Sequence, residues 1–369
     1  MSAGSLAGHR LEAVAVTEVR SRYPRTIGRN ARLGVHGDGP AARAVTVRTD
    51  AGATGWGIVE GGPTDLTACV GRPVEELLDP DVGVVDPEAL PLDVALHDLA
   101  ARILGMPVHQ MLGGRGAPAV PCYSGAIYFD DLDLGPDGAP RGIDGVLASC
   151  ADDVEAGYRG LKLKIGRGNR WMPTEEGFRR DIEVVRAVRA AHPELRLLVD
   201  MNDGYDPART VRFLEETADC ALFWVEEPFA EERAGLQELR AHRERTGSSV
   251  LVADGEFDPD VPAVLELAAE GLIDVLLMDV LSFGLTPWRA LMPRVEELGV
   301  LASPHAWGHP LKSVYAAQLA AGLGTVPVIE GVPGTTDGVD ASACRLEDGL
   351  LHLPLVPGMG LELTGDEVR

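Results

Sequence analysis

Two lysines on one short run, Lys162 and Lys164 in Gly-Leu-Lys-Leu-Lys-Ile-Gly, precede three apolar runs that each end in acid. These are Val-Asp200-Met-Asn202, Val-Glu226-Glu-Pro and Ala-Asp254-Gly-Glu256; a later run, Leu-Ala-Ser-Pro-His305, ends in an imidazole, and Asp279 ends the run before it. Side chains alternate along a strand, so Lys162 and Lys164 share a face, as do Asp200 and Asn202. Two neighbouring ammonium groups disfavour each other's charge, so one of them can serve as a base near neutral pH. Clustered carboxylates repel unless a hard cation takes them up, and magnesium prefers oxygen ligands while keeping positions open for a substrate. The expected ligands are Asp200, Glu226 and Glu256. Asp254 rivals Glu256, because residues 254 and 256 are two apart on one strand face. Asp279 on one nitrogen of His305 would fix the tautomer and leave the other nitrogen as acid or base. His309, in the following loop, is the weaker imidazole. Glu330 ends the last run and is placed to hydrogen-bond a developing oxyanion. Singly, each group has a plainer reading as a solvated strand lysine, a helix-capping acid or a turn histidine. In this order they describe a divalent cation holding a carboxylate while a side chain removes the neighbouring C–H proton.

The elements that must position these groups repeat. Eight β-rich runs, at 120–126, 160–166, 195–202, 222–228, 250–256, 274–280, 301–306 and 326–332, end in polar or glycine residues. Amphipathic helical patterns lie between several of them, for example at 175–191, 208–218 and 287–298. Strands alternating with helices imply right-handed βαβ units, and eight imply a closed (β/α)8-type barrel, whose C-terminal mouth collects strand-end side chains. An open doubly wound sheet is the rival; no Gly-x-Gly-x-x-Gly follows the first strand to support it. Before residue 116 the pattern differs: strands at 13–19 and 44–49 flank a Gly- and Arg-rich loop, and a helix is expected over 92–112, ended by Gly113-Gly114. The tail from about 334 carries one short β-like run, 350–354, too small to fold alone.

The chain has 369 residues, 45% of them hydrophobic, with 33 Lys and Arg against 57 Asp and Glu, a net charge of −24. That surface repels nucleic acid and anionic membrane, so neither is an expected partner, and an acidic substrate needs local positive charge. Five scattered cysteines without a C-x-x-C point to reduced thiols rather than disulfides or zinc. The N-terminal stretch has no apolar leader core, and no segment reaches a membrane-spanning length, so a soluble, cytoplasmic protein is expected.

Lys-Leu-Lys at 162–164, Asp200-Met-Asn202, Glu226-Glu-Pro, Gly255-Glu256, Asp279, Ser-Pro-His305 and the segment 93–114 together resemble the enolase superfamily, specifically its mandelate racemase subgroup. The resemblance implies an α/β fold: an α+β capping domain (1–118), a modified TIM barrel of (β/α)7β type (119–333), and a tail (334–369) that returns to the cap. It implies Mg2+ on Asp200, Glu226 and Glu256. Lys162 would help bind the substrate carboxylate, and Lys164 and the His305–Asp279 dyad would lie on opposite faces of the bound acid. No lysine stands near the end of the sixth strand, unlike the muconate-type arrangement. Acid-sugar dehydratases are frequent in the subgroup, so dehydration of a sugar acid to a 2-keto-3-deoxy acid is expected. Racemisation, epimerisation or cycloisomerisation through the same enediolate are alternatives, and a non-catalytic binding protein is a remote one. Cap loops in the family close over the mouth. The loop arginines Arg20, Arg22, Arg25, Arg29 and Arg32, with His36, would then meet a second carboxylate or hydroxyls. Arg25 and His36 are the expected binders, with Asn202 beside the acids and Trp171 lining the pocket. A homo-oligomer is a further expectation from the resemblance.

Overall fold

The computed structural model describes residues 5–60, 65–135, 138–257 and 259–364. Residues 1–4 of the N-terminal stretch and 365–369 of the expected tail lie outside them.

The strands β1 (Leu11–Arg22), β2 (Ala41–Thr49) and β3 (Thr54–Val59) form an antiparallel meander. β3 was not foreseen. Its glycines let the helix α1 (Asp93–Leu104) lie against the sheet: a Cβ on Gly55 would sit 2.3 Å from the Leu99 nitrogen, and one on Gly57 2.5 Å from Val94 Cγ1. The single helix expected over 92–112 is two. α1 stops at Gly105, which takes the left-handed conformation at φ 71°, and Pro107 then prevents continuation before α2 (Val108–Met111). A small hairpin, β4 (Leu78–Asp79) with β5 (Gly83–Val84), precedes α1.

The barrel strands are β6 (Ala119–Ile127), β7 (Gly160–Lys164), β8 (Arg196–Asp200), β9 (Leu222–Glu226), β10 (Leu251–Asp254), β11 (Val275–Leu276), β12 (Leu301–Ala302) and β13 (Ile329–Gly331). They run parallel from β6 to β12 in sequence order, and β13 returns to pair with β6. Between β12 and β13 the seam is held by Ser303 Oγ donating to the Val328 carbonyl at 2.7 Å and Ala302 N donating to Thr325 O at 3.3 Å. The connecting helices are α3 (Gly142–Glu155), α4 (Thr174–Ala191), α5 (Pro207–Glu216), α6 (Arg233–Thr246), α7 (Val261–Ala269), α8 (Leu285–Leu298) and α9 (Pro310–Leu323). Among the described residues no helix follows β13, so the architecture is (β/α)7β rather than eight full units. In place of that helix, β14 (Thr335–Thr336) pairs with β1. β15 (Val339–Asp340) pairs with β18 (Glu362–Leu363), and β16 (Arg345–Glu347) with β17 (Leu350–His352); β17 lies antiparallel on β6.

Tyr123, Leu198, Trp224, Ala253, Val275, Leu277 and Val328 fill the barrel interior. They form the floor beneath the polar residues at the strand ends. α9 is buried on all sides, between the barrel and the cap, as a helix without a polar face must be. Its Tyr315 hydroxyl accepts from Ile58 N of β3, and its Gln318 Oε1 accepts from His109 N of α2.

Candidate active site

Strand alternation carries Lys162 and Lys164 to the barrel axis from β7, Asp200 from β8 and Glu226 from β9. Lys162 Nζ is 2.5 Å from Glu226 Oε1, 2.8 Å from Glu330 Oε1 and 3.4 Å from Asp200 Oδ2. Lys164 donates to Asp200 Oδ2. Burial works against both ammonium groups. Glu226 and Glu330 outweigh it at Lys162, and Asp200 does so at Lys164, so both lysines titrate above their ordinary value. The expected mutual suppression of the two lysines is thus reversed by the acids around them. Burial also opposes ionisation of Asp200, yet Lys164 and Lys162 hold it below the usual carboxylate range. At Glu226 burial prevails and Lys162 offsets it only in part, leaving the carboxyl well above its usual range.

Glu256, not Asp254, completes the acid cluster. Ligand oxygens of Asp200, Glu226 and Glu256 lie within 4.8 Å of one another. Ala253 packs inside the barrel, so Asp254 turns to the other face of β10. Gly255 then adopts φ +98°, which resets the alternation and brings Glu256 inward. Residues 254 and 256 therefore do not share a face, contrary to the sequence expectation. Asn202, at φ 43°, donates its backbone N–H to Asp200 Oδ1 at 2.9 Å and its side-chain amide to Glu227 Oε2 at 3.1 Å.

On the opposite side, His305 Nδ1 bonds Asp279 Oδ2 at 2.8 Å, and its Nε2 lies 3.4 Å from Glu256 Oε2 and 3.7 Å from Glu330 Oε2. Burial alone would strip the His305 proton; Glu256, Glu330 and Asp279 together raise its pKa above the ordinary value. Glu330 resists burial because Lys162 and His305 flank it, and its carboxyl is lowered to about 2. His309 caps α9 through its ring, with Leu311 N donating to Nδ1, and burial lowers it to about 4.

The cap side differs most from expectation. Arg25 donates to both oxygens of buried Asp153, at 2.6 and 3.0 Å, and to the Ala126 carbonyl at 3.0 Å. It ties the cap loop to the barrel, and its fork is engaged by a buried carboxylate rather than turned to the expected substrate. Trp171 packs locally: its indole N–H donates to Asn30 O at 2.6 Å, and the Arg29 and Arg170 guanidinium carbons lie 5.1 and 4.6 Å from its ring centroid. The other loop arginines also meet acids, Arg22 with Asp337, Arg29 with Asp133 and Arg32 with Asp203. His36 does reach the mouth, edge-on to Tyr128 at 4.8 Å and to Trp307 at 6.4 Å. Sequence reasoning missed Tyr23, Tyr128 and Trp307, which complete this aromatic wall; Lys164 Nζ stands 5.5 Å from the Tyr128 ring centroid. Tyr128 follows the first barrel strand, so the logic used for the other strand ends would have found it. Lys312, which bonds Asp279 Oδ2 at 2.5 Å, was also missed.

The donor set suits a hard divalent cation. It is all oxygen, and Glu256 Oε2 is buried without a hydrogen-bond partner. When ionised, the four carboxyl groups of Asp200, Glu226, Glu256 and Glu330 outnumber the ammonium groups of Lys162 and Lys164, an excess that a divalent cation would balance.

Residues 145–368 match the family described as enolase C-terminal domain-like. The D-galactarolactone cycloisomerase of Agrobacterium fabrum is 28% identical over 74% of this chain and 71% of its own length. A D-galactonate dehydratase family member from Streptomyces sp. (strain SPB074) is 29% identical over 75% of this chain; the match spans 65% of that relative, just under two thirds. Galacturonate dehydratase from Geobacillus sp., solved with D-galacturonate and 5-keto-4-deoxy-D-galacturonate, superposes with a TM-score of 0.90 at 30% identity over 98% of this chain and 95% of that one. A mutant of the same dehydratase, solved with Mg, gives a TM-score of 0.91 at 29% identity, covering 99% and 96% of the two chains. Sequence match, barrel and strand-end chemistry agree: the chain belongs to the enolase superfamily.

Proposed function

We propose that this enzyme removes the proton α to the carboxylate of a sugar acid and then expels the β-hydroxyl as water, giving an α-keto-β-deoxy acid. The observation that supports this reading is the placement of Lys164 and the His305–Asp279 dyad on two sides of one carboxylate cluster. Asp200, Glu226 and Glu256 would hold Mg2+, which supplies Lewis-acid charge to the substrate carboxylate. Lys162 adds a buried ammonium where negative charge develops on that carboxylate. Whichever of Lys164 and His305 is neutral in the substrate complex takes the α-proton, and the other stays protonated. The C–H electron pair then forms the enediolate, which collapses as the β-hydroxyl leaves with a proton from the other group. The enol product tautomerises to the ketone. Asp279 fixes the His305 tautomer throughout, and Glu330 lies within reach of both the imidazole and Lys162.

The Geobacillus neighbour's pair, D-galacturonate and its 5-keto-4-deoxy product, has this pattern counted from the carboxylate, so hexuronates and aldonates are the first substrates to try. The cycloisomerase relative favours a second reading, in which a ring oxygen or a returned proton replaces loss of water. Cytoplasmic location and a homo-oligomeric state belong to the same proposal, and light scattering reads the latter.

The test is a panel of hexuronates, aldonates and their lactones with Mg2+ in D2O, followed by proton NMR. Deuterium at the α-carbon and a keto-deoxy product are expected from at least one hexuronate or aldonate. Exchange with an epimer or rearranged lactone as the sole product would favour the isomerase. No exchange from any acid by folded, Mg2+-supplied protein would end both readings.

A further inference from the structure

Lys312 is buried to 4% exposure near the start of α9, where an ammonium group is costly unless paired. Its Nζ has two carboxylate partners from distant parts of the chain: Glu60 Oε1 at 3.0 Å, just past the end of β3 in the cap, and Asp279 Oδ2 at 2.5 Å. That same Oδ2 takes His305 Nδ1 at 2.8 Å. The other Asp279 oxygen accepts from Leu281 N at 2.8 Å and Ser282 N at 2.9 Å. The carboxylate is thus held at both ends, and the imidazole it orients directs Nε2 toward Glu256 and Glu330. Glu60, His305 and Lys312 line one cavity of about 520 Å3 with Phe257, Met278 and Phe283.

We infer that Lys312 is a positioning residue for the imidazole step: it clamps Asp279 behind His305, and Glu60 completes the clamp from the cap, so the imidazole is aimed only when the cap is seated. A merely structural cation would need a partner, but not the oxygen that orients the imidazole. Without the ammonium, Oδ2 keeps one donor, and the Asp279–His305 pair gains freedom to turn together. The ion pairs of Lys312 go to Glu60 and Asp279 rather than to the acid cluster, although the side chain lines the same cavity as Glu256 and His305, so its loss is expected to act on turnover more than on substrate capture.

The inference rests on the proposed α-proton chemistry, and its test separates the two. Lys312→Met and Glu60→Gln are prepared in the full chain with Mg2+ and compared with wild type on the best acid of the panel. For Lys312→Met, kcat is expected to fall by about 10- to 100-fold, no more than the low end of a full acid–base contribution because the imidazole itself remains, with KM changed less than about twofold. For Glu60→Gln, at a half-exposed carboxylate where folding is not at risk, a smaller fall in kcat with the same flat KM is expected. A second readout needs no substrate. The Nδ1–H proton of His305, assigned by its loss in His305→Asn and followed by histidine 15N NMR, is expected to move or broaden in Lys312→Met and to a lesser degree in Glu60→Gln. If wild type turns over no acid, the proposed function fails while the NMR comparison still decides the clamp. An unmoved His305 signal in both variants overturns the clamp. So does unchanged kcat in folded Lys312→Met, or a kcat loss in Glu60→Gln matched by an equal rise in KM.

Discussion

A single methyl group on β6 reports on the polar cluster. A Cβ on Gly125 would stand 2.3 Å from Glu330 Oε1 and 3.0 Å from its Cγ, against a carboxylate that bonds Lys162 at 2.8 Å and accepts from Ala306 N at 3.0 Å. Gly125→Ala must therefore displace Glu330. At least a tenfold fall in kcat/KM is expected, with a stability loss of about 1–3 kcal/mol, the usual range for overpacking. Gly34→Ala, where an added Cβ meets nothing within 4 Å, is the control. Steady-state kinetics beside urea denaturation checks both, and full activity in Gly125→Ala would show that Glu330 is not needed where it lies. Residues of this kind were legible only in part. Lys162, Asp200, Glu226 and His305 stand at strand ends and carry their own chemistry, so type and spacing exposed them. Gly125 acts by what it lacks, and Glu256 owes its place to a left-handed turn at Gly255 that strand alternation does not foresee. Lys312 reaches Asp279 from a helix, so a search for a lysine at the sixth strand end passed over an ammonium group that arrives there from α9.

Among the elements, the cap loop departs furthest from its sequence reading. Its arginines looked like substrate hands in an acidic chain, but Arg25 spends its fork on Asp153, which is 1% exposed and also accepts from Ser124 Oγ at 2.5 Å. Breaking such a pair leaves a buried charge, so Arg25→Ala is expected to lose about 3–5 kcal/mol of stability. Arg25→Lys should recover little, because one ammonium cannot reproduce the two-pronged contact. A substrate-binding arginine would give the reverse pattern, a raised KM with unchanged denaturation, and guanidinium melts beside KM values distinguish the two. The barrel strands were legible because each is a short apolar run closed by polar or glycine residues. α9 was not, since a helix buried on all faces has no amphipathic period to read. The expected single cap helix failed at Gly105 and Pro107, where local backbone chemistry overrides a continuous apolar pattern.

At the scale of the whole molecule, a chain with net charge −24 concentrates still more acid at one point and holds it with two lysines. The cation is therefore expected to be part of the folded state's stability as well as of its chemistry, and pH should tune that contribution in a definite direction. Without the cation, burial raises the Glu226 carboxyl above its usual range, so the folded chain is expected to release that proton at a higher pH than the unfolded one. The folded state then binds more protons than the unfolded one, so this group's contribution to stability declines as pH rises from the unfolded carboxylate range toward its raised folded value. Mg2+ requires the ionised carboxylate and displaces the proton. The stability gained from saturating Mg2+ should therefore grow between about pH 5.5 and about pH 8, reaching about 2.7 kcal/mol where the free ion stands at a hundredfold excess over its dissociation constant. Chemical denaturation in EDTA and in Mg2+ at both pH values measures the increment, and Asp200→Asn should remove most of it at either pH. An increment of equal size at the two pH values would mean that no proton leaves the cluster when the cation enters, and that the buried carboxylates are already ionised without it.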